Sequence, residues 1–276
     1  MTIKVPFMTP EAIEQDTNSL LAEYARARGV IIAPPIPIED IIEKHLKLGI
    51  EFDDTHSLFG IPRSGTAPDI LGAMFFKDER IVIDESLDPE EHPAMEGRYR
   101  FTLAHEGGGH WRLHRRYFNY NPEQAGLFED PVTTSVICRS SQVKEPVEWQ
   151  ADYAASCLLM PRNLLFAAWD EMFPDRKQRV IKPSATINHP FVEVTQMKLL
   201  FGRKPMWTES IDEALERIAR PLAERFLVSP TAMRIRLERL SLTDEEVRDI
   251  VWNLPYEPSE EHIRAIEAKL RGKNGG

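Results

Sequence analysis

The stretch that decides the fold covers residues 101–114 and reads FTLAHEGGGHWRLH. Three of the eight histidines of the chain, His105, His110 and His114, lie within it. The apolar residues around them predict a helix over residues 98–116. The pattern is close to the zinc motif HExxH, in which two histidines four residues apart on a helix share one metal ion. In this chain His105 and His110 are five residues apart.

The extra residue between the two histidines predicts a distorted helix. On a regular α-helix, His105 and His110 would point about 140° apart, so one ion could not reach both. One i→i+5 turn, a π-bulge, would absorb the extra residue. Gly107, Gly108 and Gly109 ease such a distortion, although each weakens a helix by about 1 kcal/mol relative to alanine. We therefore expect these glycines to serve a functional site and not packing alone.

A second motif follows about forty residues later, in a helix predicted to begin at Pro146 and to stop at Pro161. Glu148 and Asp152 are four residues apart and so share one face of it. Glu148 can bind a metal ion while Asp152 accepts the outer N–H of a ligand histidine. The alternative is a solvated acidic face. The alanines and leucines of this helix indicate that much of it is buried, where carboxylates need partners.

The two motifs together resemble those of the ImmA/IrrE family of metallo-endopeptidases. The pattern of that family is FTLAHE-x-GH-x-x-x-H, followed by a glutamate-containing helix that ends in LLMP; here the second helix reads EWQADYAASCLLMP. The similarity covers roughly residues 35–165 and is weaker over residues 229–242. It implies a zincin-like fold with a gluzincin-type site, binding Zn²⁺ or another divalent metal such as Mn²⁺. The implied ligands are His105, His110 and Glu148, and the implied general base is Glu106.

The resemblance also implies a function. Such a protein would be a cytoplasmic endopeptidase that cleaves a helix-turn-helix repressor of the XRE type. Cleavage would derepress a mobile-element, phage or stress-response operon. An extended substrate could pair with the edge of a strand such as GAMFF, residues 72–76.

One feature departs from the family pattern, because this chain has HEGGGH where the family has HE-x-GH. A longer HExxxH spacing occurs in zinc peptidases that resemble dipeptidyl peptidase III. The insertion therefore need not abolish zinc binding, but it leaves two alternatives open. His114 could replace His110 as a ligand, since these two residues have the regular spacing of four. Alternatively, the site keeps the fold and has lost turnover.

The segments around the motifs predict an α+β fold, in which a small, mostly antiparallel sheet packs on helices. Three segments have the composition of strands, and a turn at residues 77–79 predicts a hairpin between the last two. They are LGIEF, ILGAMFF and RIVIDESL. We expect a peptidase domain over residues 1–173 and a mainly helical C-terminal region over residues 174–276. Residues 117–145 have no clear period and predict a long loop.

Two helices resembling a helix-turn-helix are predicted at about residues 211–240. Residues 214–240 contain six arginines and three glutamates, a local charge of +3, which allows DNA recognition by the second helix. The alternative is a helical pair that packs on the peptidase domain with its arginines solvated. The second function that we consider is therefore a catalytically impaired, peptidase-fold regulator, or a module that binds DNA or protein.

The composition narrows the possible classes of function further. The chain has 276 residues and a formal net charge of −10, which excludes a nucleic-acid-binding protein whose whole surface is basic. Its two cysteines, Cys138 and Cys157, argue against a disulfide-built scaffold and predict ordinary thiols in a reducing compartment. No apolar run approaches the roughly 20 residues of a membrane span. We therefore expect a cytoplasmic protein with no membrane partner.

Overall fold

A computed structural model describes residues 5–63, 69–117, 135–139, 146–181 and 211–245. Helices form most of this part of the chain, and one small sheet packs against them. The fold class is α+β, as predicted.

The sheet contains four strands within the described residues. In chain order they are β1 (Gly49–Asp53), β2 (Ile70–Phe75), β3 (Arg80–Asp84) and β4 (Ser135–Arg139). In space their order is β1-β3-β2-β4. The predicted hairpin is confirmed, because β2 and β3 pair antiparallel with Met74 opposite Ile81.

The sheet is mostly antiparallel, as predicted, because two of its three pairings are antiparallel and that of β1 with β3 is parallel. Two other features differ from the prediction. The strand β4 lies within the segment expected to be a loop, where no alternation of apolar residues revealed it. The strand β2 pairs on both sides, with β3 and with β4. Its edge is therefore closed to an extended substrate, which corrects the expectation for residues 72–76.

Helices precede, separate and follow the strands along the chain, and two of them continue as π-helical segments. In chain order the helices are α1 (Pro10–Arg28), α2 (Ile38–Asp40), α3 (Thr55–Leu58), α4 (Glu96–Ala104), α5 (Pro146–Leu159), α6 (Arg162–Met172), α7 (Ile211–Phe226) and α8 (Pro230–Arg239). The π-helical segments are Ile41–His45, after α2, and His105–His114, after α4. A second pair of short strands, β5 (Arg179–Ile181) and β6 (Thr243–Glu245), runs parallel.

Local sequence signals account for the helix ends. Helix α1 begins where the Thr9 side chain accepts a hydrogen bond from the N–H of Ala12, and Pro10 occupies the first turn. It ends at Gly29, which adopts a left-handed conformation with φ of 66°. Helix α8 likewise begins at Ser229, whose hydroxyl accepts from the N–H of Ala232. These ends were predictable because each depends on a few adjacent residues.

The segment His105–His114, hereafter the π-helix, lies between the sheet and α5. A Cβ atom at Gly107 would lie 2.0 Å from Cδ1 of Ile42 and 3.5 Å from Cδ1 of Ile81 in β3. On the other side, Gly108 and Gly109 face α5. Nine of the ten π-helical residues are buried. The candidate site is therefore built in the interior of the fold.

The C-terminal helices α7 and α8 pack onto this arrangement. Their apolar side chains join one cluster with those of the preceding helices, including Leu158 of α5 and Trp169 of α6. The boundary expected at residue 173 stays a prediction. Within the described residues, no helix combines the length and the apolar character needed to cross a bilayer. The sequence also predicts a helix from Ser259 that frays into the final residues KNGG, and this segment lies outside the described residues.

Candidate metal centre

The π-helix brings two of the three clustered histidines together. The Nε2 atoms of His105 and His110 lie 2.9 Å apart, and both side chains are buried. The predicted i→i+5 distortion is confirmed, and it extends over ten residues where a single turn was expected. Because i→i+5 bonding widens each turn, residues five apart come to share a face.

The three glycines of the π-helix allow close contact with its neighbours. A Cβ atom at Gly109 would lie 2.6 Å from both Cα and Cβ of Ala151 in α5, closer than packed atoms approach. At Gly108 it would lie 2.7 Å from a terminal methyl carbon of Leu158. Packing thus requires small residues here as well. This packing requirement adds to the functional role that is expected of the glycines and does not contradict it.

The close contact with α5 places a carboxylate beside the two histidines. The Glu148 oxygens lie 3.3 Å from Nε2 of His105 and 3.6 Å from Nε2 of His110. One ligand atom from each residue lies within 4.8 Å of the others. Ligand atoms bound about 2.1 Å from a tetrahedral zinc ion lie about 3.4 Å apart. The three side chains could therefore hold a metal ion with a coordination position left open.

The electrostatics of the three side chains also fit a cation. Burial works to raise the pKa of Glu148, but its contacts with His105 and His110 outweigh burial and hold that pKa well below its ordinary value. Burial lowers the pKa of His110, which favours the neutral imidazole. An ionised carboxylate and a neutral imidazole are the forms that bind a metal ion.

Asp152 lies where a supporting carboxylate is needed. Its Oδ1 lies 2.9 Å from Nδ1 of His105, on the side of the ring away from the cluster. A proton on Nδ1 then donates to Asp152 and leaves the lone pair of Nε2 for a metal ion. The four-residue spacing on α5 thus places Glu148 and Asp152 on either side of one histidine.

His114 lies behind His110 and outside the three-residue cluster. Its Nδ1 lies 3.3 Å from Nδ1 of His110, and its Nε2 lies 3.1 Å from Oε1 of Gln150. Burial lowers the pKa of His114 to about 4, so the imidazole is neutral near pH 7. His110 and His114, four residues apart, thus contact each other through their Nδ1 atoms, and His114 does not join the three-residue cluster.

Glu106, the expected general base, is fully buried. Its two carboxylate oxygens have no hydrogen-bond partner within the described part of the chain. Burial raises the pKa of Glu106 to about 8; the charges of Glu148 and Asp152 also raise it, and His105 opposes them. An ionised carboxylate that is buried without a partner costs far more free energy than a neutral polar group, so it is protonated or it meets a cation or water. This side chain is therefore suited to exchange a proton near neutral pH.

Most arginines of the helix-turn-helix-like segment are solvated, as expected for a helical pair that packs on the rest of the chain; the exposed ones are Arg217, Arg220, Arg225 and Arg239. Arg236 of α8 differs from both expectations, because it is fully buried. It donates to Oε1 of Glu14 at 2.8 Å and to the Met160 carbonyl at 3.2 Å. Arg239 lies over the ring of Tyr153, 5.2 Å from its centroid. Arg236 and Arg239 of the second helix thus contact other residues of this chain.

The thiol of Cys157 lies against the same arginine. Its Sγ lies 3.3 Å from a guanidinium nitrogen of Arg236, and burial raises its pKa to about 11. It is a protonated, unreactive thiol, in line with the expectation. For β4, which contains Cys138, the structure describes the backbone and not the side chains.

Two residues near the site were missed by sequence reasoning. They are Gln150, which contacts His114, and Pro6, whose carbonyl accepts from Gln150 at 3.0 Å. Gln150 carries a weak signal, since it is a polar residue beside Ala151 in a helix whose alanines and leucines predict burial. Pro6 carries none, because its part depends on a backbone carbonyl 144 residues away from Gln150.

Comparison with known proteins identifies no family. No family model matches the chain, and no curated protein matches it either. The similarity to ImmA/IrrE metallo-endopeptidases therefore rests on the two motifs themselves.

Proposed function

We propose that this protein is a zinc-dependent endopeptidase of the ImmA/IrrE type. The observation that supports the proposal is the convergence of His105 Nε2, His110 Nε2 and a Glu148 oxygen on one point in the interior. The donor set of two imidazoles and one carboxylate is that of catalytic zinc sites with an open position. The fit of the two sequence motifs to this geometry supports the family assignment.

Each of the side chains has a part in peptide hydrolysis. His105, His110 and Glu148 would hold the ion, and Asp152 orients His105. A bound zinc ion supplies a Lewis acid that polarises a peptide carbonyl and lowers the pKa of water. Glu106 then takes a proton from the water whose oxygen attacks the carbonyl carbon. It delivers that proton to the amine nitrogen as the C–N bond breaks.

The raised pKa of Glu106 suits both halves of this proton transfer. A carboxyl group with a pKa near the working pH can accept a proton and give it up again at similar cost. Burial is the main cause of the raised value, about 8 in the metal-free protein. A metal ion held by His105, His110 and Glu148 would lower that pKa by Coulomb attraction, which would favour the ionised, basic form of Glu106 near neutral pH.

The proposed substrate is a cytoplasmic protein, a helix-turn-helix repressor of a mobile-element, phage or stress-response operon. This part of the proposal is carried by the resemblance of the two motifs to the family. DNA binding by α8 is a weaker alternative, because Arg236 is buried and paired with Glu14. A recognition helix needs such side chains free to reach base edges.

The first prediction separates metal binding from turnover. Purified protein should contain about one zinc ion per chain, and His105→Ala should abolish it. Glu106→Gln should retain the zinc and lose cleavage of the repressor encoded beside the gene by about 10²–10⁴-fold, because the proton acceptor is gone. Metal analysis and a gel-based cleavage assay measure both. Cleavage by Glu106→Gln at the unaltered rate would refute the role of Glu106.

A catalytically inactive, metal-binding regulator is the second candidate. The complete burial of Glu106 favours it, since water and a peptide need access to that carboxylate. The same experiment distinguishes the two candidates. Stoichiometric zinc with no cleavage of the neighbouring repressor would favour the inactive regulator, and zinc-dependent cleavage would exclude it.

A further inference from the structure

A chain of polar groups links the backbone near the N-terminus to His110. The Gln150 amide nitrogen donates to the Pro6 carbonyl at 3.0 Å. The Gln150 carbonyl oxygen, Oε1, lies 3.1 Å from Nε2 of His114. The opposite nitrogen of His114, Nδ1, lies 3.3 Å from Nδ1 of His110. Each group therefore has one neighbour on either side, and the order is Pro6, Gln150, His114, His110.

The donors and acceptors along this chain can be assigned from one fixed end. A backbone carbonyl only accepts, so the Gln150 amide nitrogen must face Pro6 and its oxygen must face His114. That oxygen also only accepts, so Nε2 of His114 carries a proton. A neutral imidazole with its proton on Nε2 has a lone pair on Nδ1. His110 must then donate from Nδ1.

The assignment matters for the metal ligand at the end of the chain. A neutral His110 with its proton on Nδ1 has the lone pair on Nε2, and this nitrogen lies 2.9 Å from Nε2 of His105 and 3.6 Å from Glu148. The opposite tautomer would place a proton at the metal position. The orientation of one amide, 36 residues away from His114, thus decides which nitrogen of His110 can bind metal.

We propose that His114 is a positioning residue for the metal centre, which it serves by accepting the Nδ1–H of His110 and so presenting the lone pair of His110 Nε2 to the ion. The inference rests on the proposed metal centre and adds a role for His114 and Gln150. His105 and His110 are then supported differently. His105 donates to the carboxylate of Asp152, whereas His110 donates to a neutral imidazole.

Burial and packing hold the chain of groups in place. His110, His114 and Gln150 all have zero exposure, so water does not compete for these contacts. Phe7, the residue after Pro6, stacks on Trp149 with ring centroids 6.1 Å apart. This contact fixes the N-terminal segment over α5 next to Gln150. The first residues of the described chain therefore belong to the support of the site.

The direct test is the tautomeric state of His114 in the metal-free, full-length protein. Long-range ¹H–¹⁵N correlation spectra distinguish a proton on Nδ1 from one on Nε2. We expect the Nε2–H form for His114, whose bare Nδ1 can then accept from His110. A proton on Nδ1 of His114 would overturn the proposal. This measurement does not depend on zinc binding or on activity, so it decides the inference even if the proposed function fails.

A pair of variants tests the same role through zinc affinity, measured against a competing chelator. His114→Asn keeps an acceptor oxygen near the position of Nδ1, whereas His114→Leu has a similar size and none. Both lose the contact with Gln150. We expect His114→Leu to weaken zinc binding about 10–100-fold and His114→Asn to recover most of that loss. Equal affinities for the two variants would overturn the proposal.

Two controls separate this outcome from other failures. Thermal unfolding in the presence of a chelator shows whether the two variants fold equally well without metal. His105→Ala gives the baseline for loss of a ligand. If the unaltered protein binds zinc no better than His105→Ala, the proposed function fails, and the tautomer of His114 still decides whether it can accept from His110.

Discussion

Two buried carboxylates, Glu106 and Asp84, have opposite surroundings. Asp84 at the end of β3 accepts hydrogen bonds from the backbone and side chains of Thr55 and Ser86. The guanidinium of Arg63 adds two more, at 2.9 and 3.2 Å. Glu106 has no such partner within the described residues. A structural carboxylate is satisfied by the fold, whereas an unsatisfied one is a candidate for chemistry.

The hydrogen bonds that the Asp84 carboxylate accepts predict a pH-dependent contribution to stability. Burial works to raise the pKa of Asp84, but hydrogen bonds from Ser86, Thr55 and Arg63 outweigh it and lower that pKa below 3.8. A lowered pKa means that the ionised form stabilises the fold above about pH 4, and that this contribution is lost as the pH falls through the folded-state value. We expect Asp84→Asn to lower the free energy of unfolding by about 2 kcal/mol at pH 7.

Urea unfolding at several pH values measures this effect. The difference between Asp84→Asn and the unaltered protein should shrink as the pH falls below about 4. Asp78→Asn, in the exposed hairpin turn, is the control and should change stability by less than about 0.5 kcal/mol. A loss for Asp84→Asn that is the same at pH 3 and pH 7 would contradict the electrostatic explanation.

At the scale of elements, the contact between the π-helix and α5 assembles the site. His105 and His110 belong to one element, and Glu148 and Asp152 belong to the other. The axes can approach closely because Gly109 faces Ala151, where neither residue has a large side chain. The separation of the two elements therefore sets the distance between the histidine nitrogens and the Glu148 oxygens.

Substitutions at two adjacent glycines test this dependence. A methyl group at Gly109 would meet the backbone of Ala151, which cannot move without shifting α5. At Gly108 it would meet only the end of the Leu158 side chain, which can rotate. We expect Gly109→Ala to lower the free energy of unfolding by about 1–3 kcal/mol and to weaken zinc binding, and Gly108→Ala to cost less than about 1 kcal/mol.

The readouts are urea unfolding and zinc affinity measured on the same samples. Gly108→Ala is matched to Gly109→Ala in chemistry and in its place on the π-helix. If the two variants bound zinc equally tightly, the spacing of the π-helix and α5 would not control the site.

At the scale of the whole molecule, one buried ion pair joins distant parts of the chain. Arg236 of α8 pairs with Glu14 of α1, 222 residues away, and also donates to the Met160 carbonyl after α5. Glu14 in turn contacts Arg162 at the start of α6. A buried charge without its partner is expensive, so this contact specifies where the C-terminal helices dock more than it adds net stability.

Removal of that charge should destabilise the whole fold. We expect Arg236→Ala to lower the free energy of unfolding by about 3 kcal/mol, because the Met160 carbonyl would lose its buried donor and Glu14 would keep only the exposed Arg162. Arg225→Ala is the matched control, since Arg225 of α7 pairs with Glu171 of α6 at the surface, and its loss should cost no more than about 1 kcal/mol.

Chemical denaturation followed by circular dichroism compares the two variants. Arg236→Ala should unfold at a clearly lower denaturant concentration. Equal midpoints for Arg236→Ala and Arg225→Ala would show that α8 docks through its apolar residues alone.

Much of the local structure followed from the sequence. Thr9, Pro10 and Gly29 bounded α1, and the turn at residues 77–79 located the hairpin. The five-residue spacing of His105 and His110 required a π-helical distortion if both were to face one point. These predictions were accessible because capping, turn formation and helical periodicity act over a few neighbouring residues.

Only the tertiary structure decided the rest. The strand β4 lies beside β2, Gln150 reaches the Pro6 carbonyl, and Arg236 meets Glu14. Each of these contacts joins residues far apart in the chain, so no local pattern encodes it. The sequence by itself determined which residue types could form a metal centre and how far the helix had to distort. The packing of α5 against the π-helix decided their distances, because only close contact at Gly109 brings Glu148 to the histidines.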